Sequence, residues 1–114
     1  MSVEVHVAMF DAIAVTVADL ELYEVPTPTT QILTNAEVQF TNKGTVAHTL
    51  NVWLLPKGAS TDTTSLVWDE EVIGANENKS LKVGSLKEGG SIVAAVDAGT
   101  DVIAHAISGT LYTP

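Results

Sequence analysis

The sequence predicts an all-β protein, a single antiparallel β-sandwich with jelly-roll or immunoglobulin-like strand order. Three observations carry that prediction. Clusters of Gly, Asn, Pro, Ser and Thr recur about every ten residues, the spacing of turns in sandwiches and barrels. Between the clusters, apolar and polar residues alternate with the two-residue period of a strand. No stretch sustains the apolar stripe of a long helix.

Residues Ser2 to Met9 alternate, with Val3, Val5, Val7 and Met9 set against Glu4, His6 and Ala8. Residues 1–14 are therefore expected to be an N-terminal arm or an extra strand, and residues 15–114 the β-sandwich domain. Phe10 to Ala14 breaks the alternation. Residues 12–22 are compatible with a helix by composition, but Val15, Val17, Leu20 and Leu22 flank Thr16 and Glu21 at short period, which favours strand. Pro26 to Thr30 reads as a turn or polyproline-like segment.

The stretch from Asn35 to Pro56 reads as two strands joined by a tight turn. Val38 and Phe40 alternate with Glu37, Gln39 and Thr41. Asn42-Lys43-Gly44-Thr45 supplies residues that tolerate reversal. Val46, His48, Leu50, Val52 and Leu54 then share one face. Trp53 and Leu55 give the opposite face an apolar far end, which predicts a cover over it. Pro56 lacks the amide hydrogen needed to extend a ladder and ends the strand.

Lys57 to Thr64 is the clearest loop. Ser65 to Ile73 is expected to be a strand, Gly74 to Asn78 a turn, Ser80 to Val83 a short strand, and Leu86 to Gly90 a turn. Ser91 to Asp97 is apolar on both faces and so is expected to be central. Ala98 to Asp101 turns again, and Val102 to Tyr112 forms the last long strand.

The chain has 114 residues, the size of one domain, and a domain of that size buries roughly 65% of its unfolded surface. It has no cysteine, which excludes disulfides and thiolate metal sites. Its net charge is −9, with 14 acidic residues against five lysines and no arginine. That balance argues against nucleic acid, whose phosphates need neutralising cations, and against a polybasic attachment to a membrane. No apolar run approaches the ~20 residues of a membrane span. The N-terminus lacks the basic start and apolar core of a secretion signal, so the chain reads as a cytoplasmic translation product.

The residues give no catalytic constellation. His6, His48 and His105 would suit a zinc or cupin-like centre only if they converged, and none has the i±2 ligand partner that one strand face would provide, apart from Glu4 beside His6. Asp69-Glu70-Glu71, with Asp62 upstream, lacks the frame of a calcium loop. No serine sits in a Gly-x-Ser-x-Gly elbow, and Gly89-Gly90 precedes a strand rather than a phosphate-binding helix. Trp53, Trp68, Tyr23 and Tyr112 suit core packing more readily than a sugar platform. No catalytic residue, metal ligand or cofactor is expected.

Several short motifs occur in a definite order. They are Leu22-Tyr23-Glu24-Val25-Pro26, then Phe40-Thr41-Asn42, then Leu54-Leu55-Pro56-Lys57-Gly58, then Leu86-Lys87-Glu88-Gly89-Gly90-Ser91, and finally Ile107-Ser108-Gly109-Thr110-Leu111. Over residues 20–112 this order resembles a family of small all-β virion proteins of tailed bacteriophages. Glu24 stands where that family usually has Thr, Glu88-Gly89-Gly90 replaces an Ala-Gly-Asp turn, and the lead-in is longer. The resemblance implies a non-enzymatic virion protein made in the host cytoplasm. Its role would be capsid decoration (cement), in a homo-oligomer expected to be a trimer, with the major capsid protein among its partners. Val3, Val5, Val7, Met9 and Phe10 are the expected subunit contacts. The alternative is a receptor- or carbohydrate-binding module of a phage tail or fibre, with Trp68 in a loop as the ligand contact.

Overall fold

A computed structural model describes residues 3–6, 10–26, 31–62 and 64–113, with the side chains of residues 3–6, 83, 107 and 108 left aside. The described residues form nine strands: β1 (Val3–His6), β2 (Ile13–Ala14), β3 (Leu20–Glu24), β4 (Ile32–Asn42), β5 (His48–Leu55), β6 (Leu66–Ile73), β7 (Asn78–Lys87), β8 (Ser91–Val96) and β9 (Val102–Thr113). They make two antiparallel sheets. One has the order β1-β9-β4-β7, with β2 also on β9; the other has the order β3-β8-β5-β6.

β1 and β2 lie end to end along one edge of β9. Val3 to His6 face Thr113 to Thr110, and Ile13 and Ala14 face Ala104 and Ile103. With that interrupted strand counted once, the chain is a long hairpin whose tip lies between β5 and β6. β5 pairs β6, β4 pairs β7, β3 pairs β8, and β2 pairs β9. Rolling the hairpin adds the lateral pairs β4–β9 and β5–β8. This is the jelly-roll arrangement, so the immunoglobulin-like option is set aside.

The roll corrects one sequence expectation. β4 and β5 are not a hairpin: they belong to different sheets, and residues 43–47 carry the chain across the sandwich. Buried Asn42 builds that crossing. Its Nδ2 donates to the carbonyls of Val46 (2.8 Å) and Ile73 (3.1 Å), and its Oδ1 accepts from the Gly44 amide (2.9 Å). Asn favours such local side-chain bonding over continuing the ladder. β7 is also longer than expected and runs to Lys87, which confines the following turn to Glu88–Gly90.

Alternation places the core. Along β4, Leu33, Val38 and Phe40 point between the sheets, while Glu37, Gln39 and Thr41 point out. They meet Leu50 and Val52 of β5, Ile73 of β6 and Ile92 of β8, all fully buried. Burying one such side chain contributes about 1.5–3 kcal/mol. A second cluster, Trp53, Leu55, Val93 and Ala95, lies on the outer face of the β3-β8-β5-β6 sheet. The loop after β5 covers it as the sequence requires. Trp53 Nε1 donates to the Asp62 carbonyl at 3.2 Å, and Thr61 Oγ1 reaches Asp19 at 2.5 Å. β8 is buried along its length because it is central and covered on both faces.

Candidate functional site

At the end of the sandwich where residues 43–47 cross, His48 opens β5 and is buried. Its Nδ1–H donates to Asp97 Oδ1 at 2.8 Å, and Nε2 lies 3.5 Å from Asp101 Oδ2. Both carboxylates flank the β8–β9 turn, whose backbone is tied back by Asp97 N to Thr49 O (3.1 Å) and by Lys43 N to Asp101 O (2.9 Å). The Asp97 hydrogen bond is the main cause that raises the His48 pKa above the ordinary histidine value. Burial opposes the rise and Asp101 adds to it. For Asp97, burial pushes upward, but the His48 ring and the Thr49 amide outweigh it and hold the carboxyl below its usual range. The cluster is a clasp between the first residue of β5 and the β8–β9 turn, and it is an ion pair when His48 is protonated. By sequence His48 is a sheet residue beside apolar neighbours; the signal for its partners is the pair of aspartates, Asp97 and Asp101, bracketing Ala98-Gly99-Thr100.

His105 lies in mid-β9 opposite Gln39, on the outer face of the other sheet, and does not approach His48. Among the described residues, no group of three or more His, Asp or Glu is arranged to hold a metal ion. In the acidic run, Asp69 and Glu70 are exposed and Glu71 pairs with Lys79 Nζ at 2.7 Å. Glu70 adopts φ 48° at a bulge, where its amide donates to Asn51 Oδ1 at 2.8 Å.

Trp68 lies in β6 and not in a loop. It is half-buried against the main core, and its indole Nε1 donates across to the Lys82 carbonyl of β7 at 3.3 Å. With Lys79, which also donates to the Val72 carbonyl at 2.8 Å, it stitches the β6 and β7 edges together. Phe10 is half-buried and packs against this chain's own core. Val3 and Val5 place their backbone in β1, while Val7 and Met9 lie outside the described residues.

Charge is distributed unevenly. Exposed Asp19, Glu21, Glu24, Asp62, Asp69 and Glu70 gather on the β3-β8-β5-β6 sheet and its covering loop. Three of the five lysines, Lys79, Lys82 and Lys87, lie on β7. The surface depressions follow the same strand. One of about 390 Å³ is lined by Asn35, Glu37, Lys82, Gly84 and Ser85. A second, of about 560 Å³, shares Ser85 and continues along Lys57, Lys87 and Glu88. The first sits at a distortion that runs across the sheet: Asn35 has φ 53° and Gly84 φ 101°, and the register slips between β4 and both of its neighbours.

No family model and no curated protein matches the sequence. The fold does have counterparts among solved structures. A chain of the IBDV viral particle crystal structure superposes on 97% of this chain with a TM-score of 0.56 at 12% identity. A chain of infectious bursal disease virus, Gx strain, superposes on 99% with a TM-score of 0.52, also at 12% identity. This chain spans 30% and 33% of those chains, about a third of their length. At that identity the likeness is one of fold: the chain is an antiparallel β-sandwich of jelly-roll order, similar to a portion of these viral chains.

Proposed function

We propose that this chain is a non-enzymatic structural protein of a virus particle. The observation that carries the reading is the jelly roll itself, which over 97% of its length is similar to part of a chain from a viral particle. The histidine clasp is compatible with it: His48 Nδ1 ties the start of β5 to the β8–β9 turn through Asp97. More narrowly, we assign it to capsid decoration (cement) in a tailed bacteriophage, acting as a homotrimer on the major capsid protein. The support is the ordered set of short motifs from Leu22 to Leu111. β1 ends its sheet, so the edge beyond Val3 and Val5 is where a neighbouring subunit would meet the Val3–Phe10 stretch. The carbohydrate-binding alternative gains no specific observation, because the Trp68 indole is engaged with β7.

The test is to raise an antibody to the chain and probe purified particles of the virus that encodes it, by immunoelectron microscopy and by mass spectrometry. Label distributed over the shell is expected. Absence from purified particles overturns the virion reading, and label confined to tails overturns decoration. Deleting residues 1–10 is expected to abolish trimer mass or capsid occupancy; unchanged sedimentation and occupancy overturn the arm.

A further inference from the structure

We propose that His48 is a proton-operated latch: a proton taken up on Nε2 draws in the Asp101 carboxylate and locks the β8–β9 turn against residues 43–47, and loss of that proton releases the two segments. The two ring nitrogens are placed differently. Nδ1 has a bonded acceptor in Asp97 at 2.8 Å. Nε2 is buried with no hydrogen-bond partner among the described residues, and Asp101 Oδ2 stands off from it at 3.5 Å. That spacing suits a neutral ring, in which Nδ1 carries the one hydrogen and Nε2 presents a lone pair to the carboxylate. A protonated Nε2 is a donor, and its charge-assisted bond to a carboxylate closes to about 2.7–2.9 Å. Closure also satisfies a buried nitrogen that otherwise lacks a partner.

Asp101 is built to couple the ring to the crossing segment. Its side chain is 51% exposed against 6% for His48, so it can pass a proton between solvent and the buried ring. Its carboxylate lies on Gly44, where an added Cβ would overlap it. Gly44 is held in turn by Asn42 Oδ1 at 2.9 Å, and the Lys43 amide donates to the Asp101 carbonyl at 2.9 Å. A movement of the Asp101 side chain therefore changes the seat of residues 43–47, which carry exposed Val46. The charged groups on the surrounding elements are few. The β8–β9 turn brings Asp97 and Asp101, and the crossing brings exposed Lys43. β6, which meets His48 through Ile73, carries Glu71, already paired with Lys79 of β7. The β6–β7 turn carries exposed Glu77, whose carbonyl receives the Asn42 amide. Of these groups, only Asp97 and Asp101 act on the charge of the ring: the Asp97 bond favours the imidazolium most, burial opposes it, and Asp101 favours it again. The latch is closed at low pH and opens as pH rises through the folded His48 value. The inference does not depend on the virion reading, since it concerns the isolated chain.

The experiment is an NMR titration of the intact chain, labelled at histidine and valine, from about pH 5 to pH 9. It follows the His48 ring, the methyl groups of Val46 in the crossing and Val102 beside Asp101, and those of Val38 and Val52 in the core as controls. The His48, Val46 and Val102 signals are expected to share one midpoint above about 6.5, while Val38 and Val52 stay unchanged. D101N is expected to lower the His48 midpoint by about one pH unit and to remove the Val46 response, with the Asp97 bond still in place. G44A, which displaces the Asp101 carboxylate without touching a charge, is expected to do the same and serves where D101N does not fold. Circular dichroism checks the fold of each variant. A Val46 signal that does not follow the His48 midpoint overturns the latch. So does a D101N or G44A variant that keeps the wild-type midpoint and the wild-type Val46 response.

Discussion

The His48 ring donates to the Asp97 carboxylate across 2.8 Å, joining the first residue of β5 to the turn that leaves β8. The two groups shift each other in opposite directions, His48 upward and Asp97 downward.

The shifts define a pH window. The raised His48 pKa contributes stability that is fully present below the unfolded histidine value of about 6.5 and is lost as pH rises through the folded value. The lowered Asp97 pKa contributes stability present above about 3.9 and lost as pH falls through its folded value. The pair is therefore strongest near pH 5–6. With Asp97 partly exposed, its worth is about 1 kcal/mol. Thermal melts are expected to drop by about 4 °C between pH 5.5 and pH 9. Asp97→Asn should flatten that difference; a variant with the full wild-type slope would detach the effect from this pair.

Asn42→Ala is expected to destabilise by about 2–3 kcal/mol, because it strands the buried Ile73 carbonyl and removes the part-buried bonds to the Val46 carbonyl and the Gly44 amide at the sheet crossing. Asn42→Asp should cost at least as much at pH 7, since a carboxylate cannot donate to the Val46 and Ile73 carbonyls. Urea unfolding monitored by tryptophan fluorescence measures both.

Phe40 is among the largest fully buried side chains and lies on the inner face of β4 near its end. Phe40→Ala should cost about 3–5 kcal/mol through lost transfer energy and the cavity left behind. That is a large part of the 5–15 kcal/mol typical of a domain, so the urea midpoint should fall steeply or the chain should fail to fold.

Asn35, at φ 53°, sits in a conformation that side chains branched at Cβ avoid. Asn35→Gly should change stability by less than about 0.5 kcal/mol, and Asn35→Val should destabilise by about 1–2 kcal/mol. Equal midpoints for the two variants would mean that the bulge relaxes.

The sequence revealed in-out alternation well and neighbour identity poorly. Val38 and Phe40 against Gln39 and Thr41 mark a half-buried strand wherever it lies, and Trp53 with Leu55 correctly demanded a cover. Asn42 to Thr45 looked like a hairpin turn because local chemistry specifies reversal. Whether the next strand pairs with the last or crosses to a facing sheet depends on Ile73 and Glu77, some thirty residues on, whose carbonyls receive Asn42's donors. The clasp was hidden for the same reason: His48 and Asp97 are 49 positions apart. The lysines of β7 were visible as residues, but their alignment with a groove needed the register of β7 on β4.

The pairing of Val3 with Thr113 has a mechanical consequence. The start of β1 and the end of β9 lie at the same end of their ladder. Tension applied between the two chain ends peels that ladder open one hydrogen bond at a time, instead of shearing it all at once. A tether at both ends would therefore yield at low force and first at β1. A load entering through the β4–β9 and β5–β8 faces would instead meet the whole rolled hairpin in parallel.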